Sequence, residues 1–388
     1  MKPRRASAMI LRKLTLLLAL AMLWGCGSSA PKKATLQTAE VPPADPRAAK
    51  KYLRASKLLQ KPGSAEEQAM ALLREAIKID KHLWEAHYNL GVLHRRRGEL
   101  RPAAREFRAA RKIQPGAEEP LMALAEVLLE LGELDEASDL LEAYLEERPE
   151  NVEVRVAHTA VLREQGEHDD ALDAAREALV REPGNAEALL EVGRIYRGKG
   201  ELDVAELVFD KALSLDPKSP RPHNELGLVA LERGDTQVAF ERFQAALAVD
   251  AGFSPARMNR ASVLLHAGDY RSAADEYRHV LGNDAEHADA RVGLGIALRG
   301  LGQHQKAASE YERVLQAEPN HPQALYDLAI LRVEFQDKPA EARPLFERFT
   351  RVGSGDALEQ AERYLEDLPE PEPVAPPVPT AKKGKAKK

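Results

Sequence analysis

The chain has 388 residues, of which 30% are charged, a formal net charge of −6, and a single cysteine, Cys26. One cysteine excludes a disulfide framework and a thiolate metal cluster. The acidic balance argues against nucleic acid as a partner, because phosphate binding needs clustered basic charge.

Residues 1–25 read as a targeting segment that stands outside the fold. Lys2, Arg4, Arg5, Arg12 and Lys13 form a basic region ahead of an apolar run from Leu14 to Leu23. That run is about half the ~20 residues needed to span a bilayer core. The sequence Leu23-Trp24-Gly25-Cys26 then resembles the cleavage box of bacterial lipoproteins. The resemblance implies diacylglyceryl transfer to Cys26, cleavage before it and acylation of the new N-terminus, for instance with palmitate. Each buried methylene adds about 0.8 kcal/mol, and two chains already anchor stably. Gly27 and Ser28 stand where a retained lipoprotein carries aspartate, which implies sorting to the outer membrane, facing the periplasm. Loss of residues 1–25 moves the formal charge from −6 to −11.

Residues 26–47 are then a lipidated cysteine and a flexible tether, with Ser28-Ser29-Ala30-Pro31 and Val41-Pro42-Pro43 and no apolar periodicity. Residues 48–83 read as an imperfect first repeat. Tyr52, Ala55, Ser56 and Leu59 belong to its first helix, Pro62-Gly63-Ser64 to the turn, and Ala69, Leu73 and Ala76 to its second helix.

From 84 to 321 one pattern recurs every 34 residues. A glycine recurs at Gly98, Gly132, Gly166, Gly200, Gly234, Gly268 and Gly302. An alanine recurs at Ala103, Ala137, Ala171, Ala205, Ala239, Ala273 and Ala307, and a third series runs through Pro115, Pro149, Pro183, Pro217, Ala251, Ala285 and Pro319. Three series in one phase mean a solenoid whose units bury their apolar faces against their neighbours. The glycine suits a left-handed residue after the first helix of each unit, and the proline ends the second helix. Gly91, Ala125, Thr159, Gly193, Gly227, Ala261 and Gly295 mark a close approach of the two helices, with the alanines of the second helix expected opposite them. Phe107, Leu141, Phe209, Phe243, Tyr277 and Tyr311 are expected to fill the gap between units.

Residues 322–355 form an imperfect last repeat, in which Ala342 and Phe346 arrive one residue late and Gln336 takes the glycine place. Residues 356–368 fit a capping helix, which an exposed terminal repeat requires. Residues 369–388 are Pro-rich and then Lys-rich, ending in Lys382, Lys383, Lys385, Lys387 and Lys388, and are expected to be disordered. Two readings of this tail stay open: a solubilising extension, and a polybasic contact with an anionic surface.

The repeat is similar to the tetratricopeptide repeat. The family's frame falls on His87, Leu90, Gly91, His94, Ala103, Phe107 and Pro115 in the first regular unit, and on Leu189, Val192, Gly193, Tyr196, Ala205, Phe209 and Pro217 in the fourth. The resemblance implies an all-α fold, a right-handed superhelical solenoid of about nine helix–turn–helix repeats with a C-terminal capping helix. It also implies a groove on the first helices that holds peptides or extended protein segments. The positions expected to line it are Tyr88, Asn89, Glu126, Arg163, Arg194, Arg197, Asn224, Met258, Asn259 and Tyr326.

No catalytic residue, metal site or cofactor site is expected. Gly293-Leu294-Gly295 with Gly300 superficially resembles a phosphate loop, but Gly295 is a packing position and no strand precedes it. His82, His87 and His94 lack the i, i+4 spacing of a helical metal pair, so His87 and His94 are expected to be packing residues. The expectation is a lipid-anchored, non-catalytic scaffold similar to the repeat lipoproteins of bacterial gliding motility. A type IV pilus secretin pilotin and a regulator of cell-wall hydrolases stay open as alternatives.

Overall fold

The computed structural model describes residues 43–60 and 65–369. The targeting segment, Cys26, most of the tether, Pro62-Gly63-Ser64 and residues 370–388 lie outside the described residues. Every regular element among the described residues is helical. The helices run in pairs: α1 (Pro46–Leu59) and α2 (Glu66–Ile79), α3 (Trp84–Arg96) and α4 (Leu100–Ile113), α5 (Glu118–Leu131) and α6 (Leu134–Glu147). There follow α7 (Val152–Gln165) and α8 (His168–Arg181), α9 (Ala186–Gly198) and α10 (Leu202–Leu215), α11 (Arg221–Glu232) and α12 (Thr236–Val249). The last are α13 (Ser254–His266) and α14 (Tyr270–Asn283), α15 (Ala288–Gly300) and α16 (His304–Ala317), α17 (Pro322–Ile330) and α18 (Pro339–Phe349), then α19 (Gly355–Asp367) alone. The chain divides into two compact units, the first ending at Val229 and the second beginning at Ala230, inside α11.

Turn chemistry sets the helix lengths. All seven recurrent glycines have positive φ, from 70° at Gly98 to 84° at Gly234. An L side chain is strained in that left-handed region, whereas glycine enters it freely and ends the first helix of each pair. The residue before each proline leaves the helical region, with φ −125° and ψ 79° at Gln114, −132° and 66° at Arg148, and −130° and 84° at Glu182. Steric conflict with the proline ring denies these residues the helical region. In the last pair the left-handed residue is Asp337, φ 51°, and not Gln336. The extra residue there is absorbed in a π turn, Leu331–Phe335, which continues α17. Aspartate tolerates the left-handed region better than most residues. The start of the fold also moves: α1 begins at Pro46, two residues inside the expected tether, with Asp45 capping it through a 2.7 Å bond accepted from the Arg47 amide.

Small first-helix positions carry the packing, in a way that amends the expected contacts. A Cβ built on Gly91 would lie 2.6 Å from the Phe107 ring, on Gly193 2.3 Å from Phe209, and on Gly295 2.4 Å from Tyr311. The atoms nearest each missing side chain are thus those of the aromatic ring of the same pair. Tyr277 also sits 2.4 Å from a Cβ on Gly293 of the following pair, so that ring does bridge pairs. Thr159 inverts the arrangement: the side chain is fully buried, its hydroxyl donates to the Arg155 carbonyl at 2.9 Å, and the ring position holds Ala175. In the second unit Tyr277, Leu294, Leu298, Tyr311 and Leu328 join one apolar core. A second core there holds Leu325, Phe346 and Phe349, with Ala361 and Leu368 contributed by the α19 end of the chain.

Candidate protein-interaction site

Within the first unit, the first helices of successive pairs place like positions side by side. Tyr88, Met122 and Val156 share one register position, Ala123 and Ala157 the next, and Val92 and Ala160 one turn further. Together they floor two adjoining cavities of about 930 and 490 Å³, which share Met122, Glu126 and Glu153. The Tyr88 ring is held against Phe107, with centroids 5.7 Å apart. The rim is charged: Arg95, Arg96, Glu118, Glu119 and Glu126 flank the larger cavity, and Glu187, Glu191 and Arg221 the smaller.

Most of those charges already have partners. Arg95 donates to Glu126 and, at 2.9 Å, to Glu130, and Arg221 pairs with Glu187 at 2.6 Å. Glu118, Glu119 and Glu153 have no Lys or Arg within ion-pair distance among the described residues. Glu118 accepts from the Asn151 amide at 2.7 Å, and a side-chain hydrogen bond with Glu118, then the repulsion between the two carboxylates, raises the Glu153 pKa above its ordinary value.

Next to this groove lies an ion network absent from the sequence reading. Glu191 accepts from Arg163 Nε at 2.9 Å and from Arg194, and Glu225 accepts from Arg194 Nε at 2.9 Å, with Arg197 at 3.4 Å. The two glutamates are nearly closed to solvent, with side-chain exposures of 6% and 7%. Burial disfavours the Arg194 charge, yet the carboxylates of Glu191 and Glu225 outweigh burial and hold its pKa above the usual arginine value. Arg163–Glu191 and Arg197–Glu225 are one motif repeated 34 residues on, each arginine 28 residues before its acid. Arg299 and Asp327, 3.0 Å apart in the second unit, repeat that spacing.

The ten expected groove positions therefore separate. Tyr88 and Glu126 line the groove. Asn89 is half-buried and donates to the Tyr52 hydroxyl at 3.3 Å. Arg163, Arg194 and Arg197 come together, but on carboxylates of the chain itself. Asn224 is buried. In the second unit Met258 packs on the core, Asn259 is half-buried, and the Tyr326 ring lies 5.1 Å from that of Phe349 while its hydroxyl donates to Gln360. The sequence reading missed Met122, Val156, Glu118, Glu119 and Glu153. The 34-residue step from Tyr88 could have located the first two.

Other polar groups are structural. His87 Nδ1 lies 2.7 Å from Glu106, and His94 pairs with Glu99. Arg257 and Arg291, at the register of His87, repeat its contact on Glu276 and Glu310 at 2.8 and 2.9 Å. Gly293 and Gly295 lie within α15 under tyrosine rings, so they form no phosphate loop. Among the described residues no three His, Cys, Asp or Glu side chains converge on a metal-sized site, and no helix is long and apolar enough to cross a membrane.

A family model described as the tetratricopeptide repeat matches residues 161–220, 224–288, 259–324 and 292–357, and a second model of the same description matches 96–159. No curated protein matches the chain. Among solved structures, the chain is similar to one titled as the APC/C hetero-tetramer Cut9-Hcn1, at 16% identity and a TM-score of 0.53. That match covers 82% of this chain and 62% of the other, so the chain spans less than two thirds of that relative. Yeast Tom70 matches at 14% identity over 82% of this chain and 95% of its own, with a TM-score of 0.45. YrrB, titled a TPR protein with an unusual peptide-binding site, matches at 23% identity over 48% of this chain and 96% of its own, with a TM-score of 0.36. At these identities the likeness concerns the fold alone.

Proposed function

Because the chain belongs to the tetratricopeptide repeat family, whose members bind protein or peptide segments in the groove of their first helices, we propose that it is a non-catalytic scaffold assembling protein partners at the bacterial outer membrane. The observation that carries this reading is the apolar floor from Tyr88 to Ala160, shared by two adjoining cavities of about 930 and 490 Å³ and flanked by charge. Flat, apolar-floored grooves with a polar rim suit protein recognition. Nothing along the groove pairs a nucleophile with a base. Support for anchoring comes from the sequence: a basic region, a short apolar run and Leu23-Trp24-Gly25-Cys26. A lipid on Cys26 would hold the repeats on the periplasmic face, and the resemblance to gliding-motility lipoproteins makes a surface-motility machine the preferred assembly.

The test is affinity purification of the tagged protein from crosslinked membranes, with Cys26→Ser as control and palmitate labelling in parallel. Labelled wild type in the outer-membrane fraction, bringing motility components that the variant does not, supports the proposal. Recovery of wall hydrolases instead moves the reading to regulation of those enzymes. Unlabelled wild type, with both forms recovering the same cytoplasmic proteins, overturns the anchored scaffold.

A further inference from the structure

The groove of the first unit has an asymmetric charge pattern. On the Arg95 side the carboxylates are partnered, since Arg95 engages both Glu126 and Glu130. Around Glu118, Glu119 and Glu153 they are not. These three carboxylates line the larger cavity beside Tyr88 and Met122, and Glu153 also lines the smaller one, so the unmatched charge sits where the two cavities join. Glu118 is positioned by Asn151 Nδ2 at 2.7 Å and approached by the Tyr144 hydroxyl at 3.5 Å, both neutral donors that leave its charge in place.

Two carboxylates lining one cavity repel, and a site that keeps them together beside an apolar floor favours whatever brings positive charge to both. A proton or a compact cation would satisfy the charge alone. Neither would cover Tyr88, Val92, Met122, Val156 and Ala160. A chain with a cationic side chain next to an apolar one satisfies both, and an extended chain advances about 3.3 Å per residue, so alternate side chains can reach floor and rim.

We propose that this groove binds an extended cationic segment of a partner protein, with an apolar side chain on Tyr88, Met122 and Val156 and a lysine or arginine held by Glu118, Glu119 and Glu153. This inference rests on the first-helix face being the interaction surface, and it names the chemistry of the partner. Lysine serves as a point charge between the carboxylates, whereas arginine can engage one of them through two parallel bonds.

The experiment is selection of displayed random peptides of about 12 residues, each long enough to lie along the floor, on the full mature chain. It is repeated on the Glu118→Gln/Glu153→Gln variant, whose fold is checked by circular dichroism. The expected result is enrichment of Lys or Arg next to an apolar residue. Binding of the selected peptides should weaken about tenfold or more in the variant, the scale of one charged contact, and should fall as salt is raised. Enrichment of acidic or uncharged peptides bound equally by both proteins would overturn the cationic partner while leaving the groove as an interaction surface. Cationic peptides bound equally by both would place their site elsewhere and also overturn it. No enrichment by a folded protein would overturn the groove reading itself.

Discussion

The Phe209 ring occupies the space that a side chain on Gly193 would need, its nearest carbon 2.3 Å from the position of a Cβ there. Phe209 is fully buried, so the ring has nowhere to move. Gly193→Ala would gain about 1 kcal/mol of helix propensity. Overpacking costs about 1–3 kcal/mol, and at this distance the clash wins, so the variant should melt below wild type. Gly184, with nothing within 4 Å of its Cβ position, is the control and should change stability by less than about 0.5 kcal/mol on mutation to alanine. The chain itself supplies a rescue, since Ala125 and Leu141 hold the same two places two steps earlier. Gly193→Ala/Phe209→Leu should be more stable than the sum of its single changes by about 1 kcal/mol. Strict additivity in urea titrations would show that the two positions do not share one volume.

The left-handed residue of the last pair gives a second test. Asp337 has φ 51°, where glycine stands in the seven regular pairs. Asp337→Gly relieves that strain but adds freedom to the unfolded chain. The strain is the larger of the two, so the variant should be more stable by about 0.5 kcal/mol. Gln336→Gly, at the place the sequence phase indicates, should be destabilising, because Gln336 has φ −122° and accepts from Arg332. The opposite ranking in thermal melts would put the extra residue elsewhere than in the π turn.

The contrast between 336 and 337 shows what a periodic sequence reveals. Helix ends were legible because left-handed glycine and the bar that a proline sets on helix in the residue before it are local properties of the residue. Gly98 and Gln114 need no partner to act as they do. The one-residue slip was legible at Ala342 and Phe346, but any of several turns could have absorbed it. The groove was legible only as a face. Arg163, Arg194 and Arg197 do lie on first helices, but their charge is taken up by Glu191 and Glu225. That register position holds Ala123, Ala157, Glu191, Glu225, Asn259, Gly293 and Asp327 in successive repeats, so no residue type marks it. The pairing is a property of two helices brought together, and becomes visible only when the 28-residue offset is known.

The ion network itself can be tested at Glu191, which accepts from two arginines with 6% of its side chain exposed. Removing one member of a fully buried pair costs about 3–5 kcal/mol, because the remaining charge is left without compensation. Arg163 and Arg194 keep 19% and 24% of their side chains in solvent, so water compensates in part and the loss should be smaller. Glu191→Gln should lower stability by about 1–3 kcal/mol. Removing a surface pair such as Lys199–Asp169, where Asp169 is 93% exposed, should change it by less than about 1 kcal/mol. Equal melts for wild type and Glu191→Gln would show that the network contributes nothing to the repeats it links.

Glu153 gives a pH test whose sign differs from that of most surface carboxylates. The Glu118 carboxylate raises the Glu153 pKa in the folded state. The native chain therefore holds the Glu153 proton to a higher pH than the unfolded chain does. The repulsion lowers stability fully above the folded pKa, and it is relieved as pH falls through the folded value toward the ordinary glutamate range near ~4.3. Glu153→Gln removes that repulsion at all pH values. At neutral pH the variant should be more stable than wild type, by roughly 0.3 kcal/mol, because Glu153 is exposed and the repulsion is screened by solvent. The gap should close as the solution is acidified and shrink with added salt. Parallel melts between neutral pH and pH ~4, a range set by the ordinary glutamate value, would measure it. A gap that widened on acidification would mean that Glu118 and Glu153 do not repel, and would leave the groove without the unmatched charge that a cationic segment needs.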